Sequence, residues 1–176
     1  MGLVLVTGGA ASGKSAFAER YARRAGQLLG APTIYLATME RSGSEAETRI
    51  ARHRAQREGK GFATIERPRG IHHPPLSGRP IVLLECVGTL LANEMFAAEP
   101  PARPAESVIE QILSLVPQAR LVVAVSNIIC CDSRQYDRAT EDYIAALEQV
   151  QIQLAAAAKR VYEVVCGIPL RIKRSG

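Results

Sequence analysis

Tryptophan is missing from the sequence, and phenylalanine and tyrosine together supply only 5% of its 176 residues. That leaves little material for the aromatic platforms on which single-stranded nucleic acids stack. No apolar run approaches the ~18 residues that a membrane span requires. No basic segment precedes an apolar core at the amino end, where Met1-Gly2-Leu3 enters a strand-like run directly. A secretory leader is therefore not expected, and a cytoplasmic location is. Only four cysteines occur, Cys86, Cys130, Cys131 and Cys166. They form no CxxC pair and have no histidine at ligand spacing, which argues against a zinc site. Cys86 and Cys166 end apolar runs and are expected as buried free thiols. The adjacent Cys130 and Cys131 read as reduced thiols at a strand end.

Hydrophobic residues make up 47% of the chain and charged residues 22%. This is the composition of a folded globular protein, and the length suits one domain over residues 1–176. The net charge of +5 is local: residues 19–69 hold 11 basic and 6 acidic side chains, and the remainder is balanced. A nucleic-acid surface would spread its charge more widely. A confined cationic patch suits a phosphorylated small molecule.

Short β-branched runs alternate with helical patterns. Strands are predicted over residues 3–7, 33–37, 62–66, 81–85, 121–125 and, as the last, 161–165. Helices are predicted over 15–29, 44–58, 89–96, 105–115 and 137–159. The first helix has Phe17, Tyr21, Ala25 and Leu28 on one face. The last has Tyr143, Leu147, Val150, Leu154 and Ala157 as its core stripe. Residues 67–80 are a proline-rich loop that includes His72 and His73, to which no role is given. Alternation of this kind predicts an α/β fold with a mostly parallel sheet, whose ligands sit at the carboxyl ends of the strands.

Directly after the first predicted strand comes Gly8-Gly9-Ala10-Ala11-Ser12-Gly13-Lys14-Ser15. It matches G-x-x-x-x-G-K-[ST] in full and stands between a strand and a helix, as a phosphate loop must. Glycines let successive N–H groups turn inward, and the helix adds the positive end of its dipole. Lys14 supplies charge for the β- and γ-phosphates, and Ser15 can ligate Mg²⁺. Glu85 is the single charge in Ile81-Val82-Leu83-Leu84-Glu85, which suits a carboxylate facing a metal or nucleotide; an exposed strand-end glutamate would look the same.

Arg49, His53 and Arg57 recur at i, i+4 and i+8 along a helix with little apolar surface. A neutral imidazole there could attack a nucleotide's α-phosphate while the arginines offset developing charge. The same spacing also fits a solvated helix face with an incidental histidine.

Several segments together resemble the bifunctional adenosylcobinamide kinase/adenosylcobinamide-phosphate guanylyltransferase family. They are Leu5 through Ser15, Tyr35-Leu36-Ala37-Thr38-Met39, Arg49-Ile50-Ala51-Arg52-His53-Arg54 with Arg57, and Thr64-Ile65-Glu66. Leu83-Leu84-Glu85-Cys86, Ala92-Asn93-Glu94-Met95-Phe96, Val125-Ser126-Asn127 and Val164 through Leu170 continue the likeness over nearly the whole chain. The resemblance implies a RecA-like P-loop NTPase fold and two reactions. One phosphorylates adenosylcobinamide from GTP or ATP. The other transfers GMP from GTP to adenosylcobinamide phosphate through a guanylylated His53. It further implies that Ala37, Thr38, Met39, Arg54, Ala55, Gln56, Arg57, Glu66 and Glu85 contribute to the GTP site, and that the protein is a homo-oligomer, as in trimeric relatives. The family pattern Asn-Glu-Val is replaced here by Asn127-Ile128-Ile129, and a Gly and an Asn by Glu148 and Gln151. A P-loop kinase for another small alcohol, or a nucleotide-binding regulatory subunit, are the alternative readings. Neither nucleic acid nor a membrane span is among the expected partners.

Overall fold

The computed structural model describes residues 2–40, 61–72, 74, 76–129 and 136–173. The predicted helix over 44–58, with His53, Arg54, Ala55, Gln56 and Arg57, lies outside the described residues, as do His73, Cys130 and Cys131.

Seven strands form one sheet: β1 (Leu3–Gly8), β2 (Thr33–Ala37), β3 (Phe62–Glu66), β4 (Ile81–Glu85), β5 (Leu121–Asn127), β6 (Arg160–Val165) and β7 (Ile168–Lys173). Their order is β3-β2-β4-β5-β1-β6-β7. All neighbours run parallel except β6 and β7, which are antiparallel. The described helices are α1 (Lys14–Leu29), α2 (Val87–Met95), α3 (Pro104–Leu115) and α4 (Arg138–Ala157). Successive residues of a strand face opposite sides, so the continuous apolar runs build two cores. Leu3, Leu5, Val82, Leu84, Val122 and Ala124 pack with α2, α3 and α4. Val4, Val6, Leu83, Val123 and Val125 pack with Ala18 and Ala22 of α1.

Several sequence expectations are corrected here. The buried face of α1 is Lys14, Ala18, Ala22 and Gly26, and Leu28 is 74% exposed. The helix lies so close to the sheet that only small residues fit beneath it: a Cβ on Gly26 would stand 2.6 Å from Thr33 Cγ2. Phe17 and Tyr21 instead flank that face and meet Tyr162 of β6. The second correction is β7, which follows the strand expected to be last. Cys166 and Gly167, with φ of 49° and 80°, make the two-residue turn into it. Two positive φ values suit the right-handed twist of a tight hairpin. Cys166 is therefore exposed at a turn and not a buried thiol, and Cys86 is half-buried.

In α4, Leu147, Val150 and Leu154 are buried as expected, but the stripe ends on Ala158, with Ala157 exposed. Asp137 caps this helix, accepting from the Thr140 N–H at 2.8 Å. Lys173 of β7 closes its other end, donating to the Ala155 and Ala156 carbonyls at 2.9 and 2.7 Å. The cation sits where the helix dipole is negative.

Candidate active site

The phosphate loop leaves β1 and enters α1 without a side-chain cap. Gly13 sits at the N-cap with φ 89°, a backbone that disfavours any other residue. Gly8 is required by space: a Cβ would meet Ser12 Oγ at 2.5 Å and the Val164 carbonyl at 2.6 Å. Ser12 Oγ is buried without a hydrogen-bond partner among the described residues. Lys14, 8% exposed, donates to the Gly9 carbonyl at 3.1 Å and so folds over the loop. With no acidic residue in its first turn, α1 presents uncapped N–H groups and a positive dipole end to this loop. From behind, the Gly167 N–H of the β6–β7 turn donates to the Ser12 carbonyl at 2.8 Å.

On the other side of the loop, past β5, stand the ends of β4, β2 and β3. Ala37 lies in register with both Glu85 and Glu66, so all three mark one row at the carboxyl edge. Ser15 Oγ donates to Glu85 Oε1 at 2.6 Å, and the Tyr35 phenol donates to Glu85 Oε2. Hydroxyl and carboxylate oxygens this close are a hard-oxygen donor set, which fits Mg²⁺ with its preference for one or two carboxylates plus phosphates and water. Among the described residues no three His, Cys, Asp or Glu side chains converge.

Thr38 is fully buried. Its N–H donates to the Glu85 carbonyl, and its Oγ1 accepts from the Cys86 N–H at 2.9 Å. Met39 is half-buried and Glu66 exposed. Asn93 of α2 joins the two loops, its amide donating to the Thr38 carbonyl at 2.7 Å and the Pro68 carbonyl at 2.9 Å. Glu94, next along, accepts from the Gly70 N–H and from Gln111. Arg69 and Glu40 add an exposed ion pair at 3.3 Å between the same loops. The segment containing Asn93 and Glu94 was noticed in the sequence only as a family feature. Their bonding to residues 38 and 68–70 has no local sequence signal.

The structure thus gathers residues 8–15, 37–39, Glu66 and Glu85 along one edge. Of the substituted positions, Ile128 continues the main-chain pairing by donating to the Gly8 carbonyl at 3.0 Å. Gln151 donates to Ser126 Oγ and the Asn127 carbonyl, holding the end of β5. His72, exposed, is engaged through its carbonyl by Ser114 and Gln118.

A family model described as cobinamide kinase / cobinamide phosphate guanyltransferase matches residues 4–172. The bifunctional adenosylcobalamin biosynthesis protein CobU of Escherichia coli is 32% identical, over 97% of this chain and 99% of that protein. The bifunctional adenosylcobalamin biosynthesis protein CobP of Pseudomonas aeruginosa is 28% identical over 96% of both chains. In fold, the chain is similar to the flagellar accessory protein FlaH of Methanocaldococcus jannaschii (TM-score 0.53, 12% identity, 99% of this chain and 79% of that one). It is also similar to a solved ATPase domain (TM-score 0.50, 15% identity, 92% of this chain and 68% of that one). These distant likenesses bear on the fold alone, a P-loop NTPase architecture.

Proposed function

The chain belongs to the cobinamide kinase / cobinamide phosphate guanyltransferase family, and from that premise we propose which of its residues carry the two reactions of this transferase of cobalamin biosynthesis. The observation that carries the assignment is the Ser15–Glu85 pair beside an intact phosphate loop. Residues 8–15 hold the phosphates of GTP or ATP. Ser15 and Glu85 hold Mg²⁺, which when bound offsets the charge on the phosphates. Ala37, Thr38, Met39 and Glu66 line the path from the loop toward the β3 edge and position GTP, with Arg54, Ala55, Gln56 and Arg57 completing that site.

In guanylyl transfer the His53 imidazole attacks the α-phosphorus of GTP. A P–N bond forms, the bond to the β-phosphate oxygen breaks, and pyrophosphate leaves. The phosphate oxygen of adenosylcobinamide phosphate then attacks the same phosphorus and releases His53. In the kinase step the aminopropanol hydroxyl of adenosylcobinamide takes the γ-phosphoryl group, a transfer governed by positioning and charge.

The enzyme acts in the cytoplasm, with its nucleotide substrates. It works as a homo-oligomer, as the family resemblance implies. The exposed apolar side chains of Ile168, Leu170 and Ile172 on β7 support association.

Incubation with α-labelled GTP and Mg²⁺ tests the central step. The expected product is a GMP adduct that survives alkali, is lost in acid and maps to His53. It should vanish in His53→Ala and persist in His72→Ala. An adduct at another residue, or none in a protein that still phosphorylates, would replace this reading with that of a plain P-loop kinase.

A further inference from the structure

Glu85 is gripped from two sides by donors of different kinds. Ser15, which donates to Oε1, stands in the loop and is itself a candidate metal ligand. Its hydroxyl must reorient when a cation arrives, so its hold on the carboxylate changes with occupancy. Tyr35, which donates to Oε2, does so from outside the loop, on a neighbouring strand.

The tyrosine comes from the neighbouring strand. It lies in register with Leu83, two residues before Glu85, and both Tyr35 and Leu83 face the α1 side of the sheet. Its ring is 3% exposed and packs edge-on against Phe62, with centroids 6.1 Å apart. The phenol is thus delivered from a rigid, buried position. Packing alone would be served equally by phenylalanine, because the ring fills the same space without its hydroxyl. A hydroxyl retained in such a site has to find an acceptor, and here it meets the strand-end carboxylate.

We propose that Tyr35 is a positioning residue that holds Glu85 in its metal-binding orientation before and after the cation enters, and thereby sets the Mg²⁺ affinity of the nucleotide complex. A carboxylate freed to rotate must be re-ordered each time the metal binds, a cost that pre-organisation removes. The inference rests on the reading of Glu85 as a metal-facing residue.

The experiment is a calorimetric titration of GDP into the intact protein, first with chelator and then across a series of Mg²⁺ concentrations. Wild type, Tyr35→Phe and Glu85→Gln are compared. Use of GDP keeps turnover out of the measurement. For Tyr35→Phe, metal-free GDP affinity should match wild type, while the Mg²⁺ midpoint rises by up to roughly tenfold, as expected when a freed side chain must be re-ordered on binding. A midpoint unchanged in Tyr35→Phe but raised in Glu85→Gln would overturn the proposal and leave the role of Glu85 standing. A midpoint unchanged in Glu85→Gln would remove that role and the proposal with it. Equal losses with and without Mg²⁺ in Tyr35→Phe would make the phenol a general structural group, and would likewise overturn the proposal.

Discussion

Lys14 folds its ammonium group onto the Gly9 carbonyl and so lays its charge over the loop. Exchanging that neutral acceptor for a phosphate oxygen gives a bond charged on both sides, of the class worth roughly 1.5–3 kcal/mol. Lys14→Ala should therefore weaken GTP binding by about tenfold or more, measured by calorimetry on folded protein. Ile128 poses the opposite case, an apolar side chain where the family resemblance implies a carboxylate. Its N–H donates to the Gly8 carbonyl, so the position adjoins the phosphate loop whatever its side chain. A carboxylate there could act on the substrate hydroxyl or a cation, and its loss should slow phosphorylation more than guanylyl transfer. The expectation is that Ile128→Glu raises kinase turnover and leaves guanylyl transfer little altered, with both half-reactions assayed on one preparation. At this scale the sequence was legible where a site is written in consecutive residues, as in 8–15. Tyr35 and Asn93 were not, because their roles depend on partners brought by other strands and helices. Glu85 was legible through solvation: a lone charge ending an apolar strand needs a reason to be there.

Among the elements, α1 shows why a helical stripe can mislead. Its large apolar residues suggested the buried face, yet the sheet approaches so closely that Ala18, Ala22 and Gly26 occupy it. Gly26→Ala would gain about 0.5–1 kcal/mol of helix propensity. Against this, the new Cβ would stand 2.6 Å from Thr33 Cγ2 and 3.0 Å from the Ala31 carbonyl. Overpacking of that kind costs about 1–3 kcal/mol, so the net effect should be a lower urea midpoint. Thr33→Ser removes the offending methyl while keeping the hydroxyl that donates to the Gly61 carbonyl, and should restore part of the loss. The cap of α4 yields a pH effect. The Thr140 backbone N–H, followed by its side chain, holds the Asp137 carboxyl below its ordinary range. A lowered folded pKa stabilises above the unfolded value, about 4, and the benefit disappears as pH falls through the folded value. Thermal melts from about pH 6 to pH 3 should therefore fall more steeply for wild type than for Asp137→Asn, which keeps an acceptor but does not titrate. Strand β7 escaped the sequence reading because Ile168-Pro169-Leu170 contains a proline and follows only a two-residue turn. A proline is tolerated there because β7 pairs on one side with β6 and its other edge is unpaired among the described residues.

For the whole molecule, alternating patterns were enough to give a mostly parallel sheet with ligands at its carboxyl edge, since buried strands and amphipathic helices have different periods. Strand order was not legible, because it is set by pairings between residues far apart. The clearest instance is β1, which lies between β5 and β6, at residues 121–127 and 160–165. Its loop is then fastened from behind by the Gly167 N–H. The part of the chain that carries the phosphate signature thus leaves the ribosome long before the strands that flank it. About 150 further residues must be added after the loop before β6 is complete. A nascent chain stalled after residue 150 would contain the complete motif and still fail to retain nucleotide, whereas one extended beyond residue 173 and clear of the exit tunnel would capture it. Competence to bind is in this sense a late event in the protein's production, decided by the hairpin that closes behind a loop translated well before it.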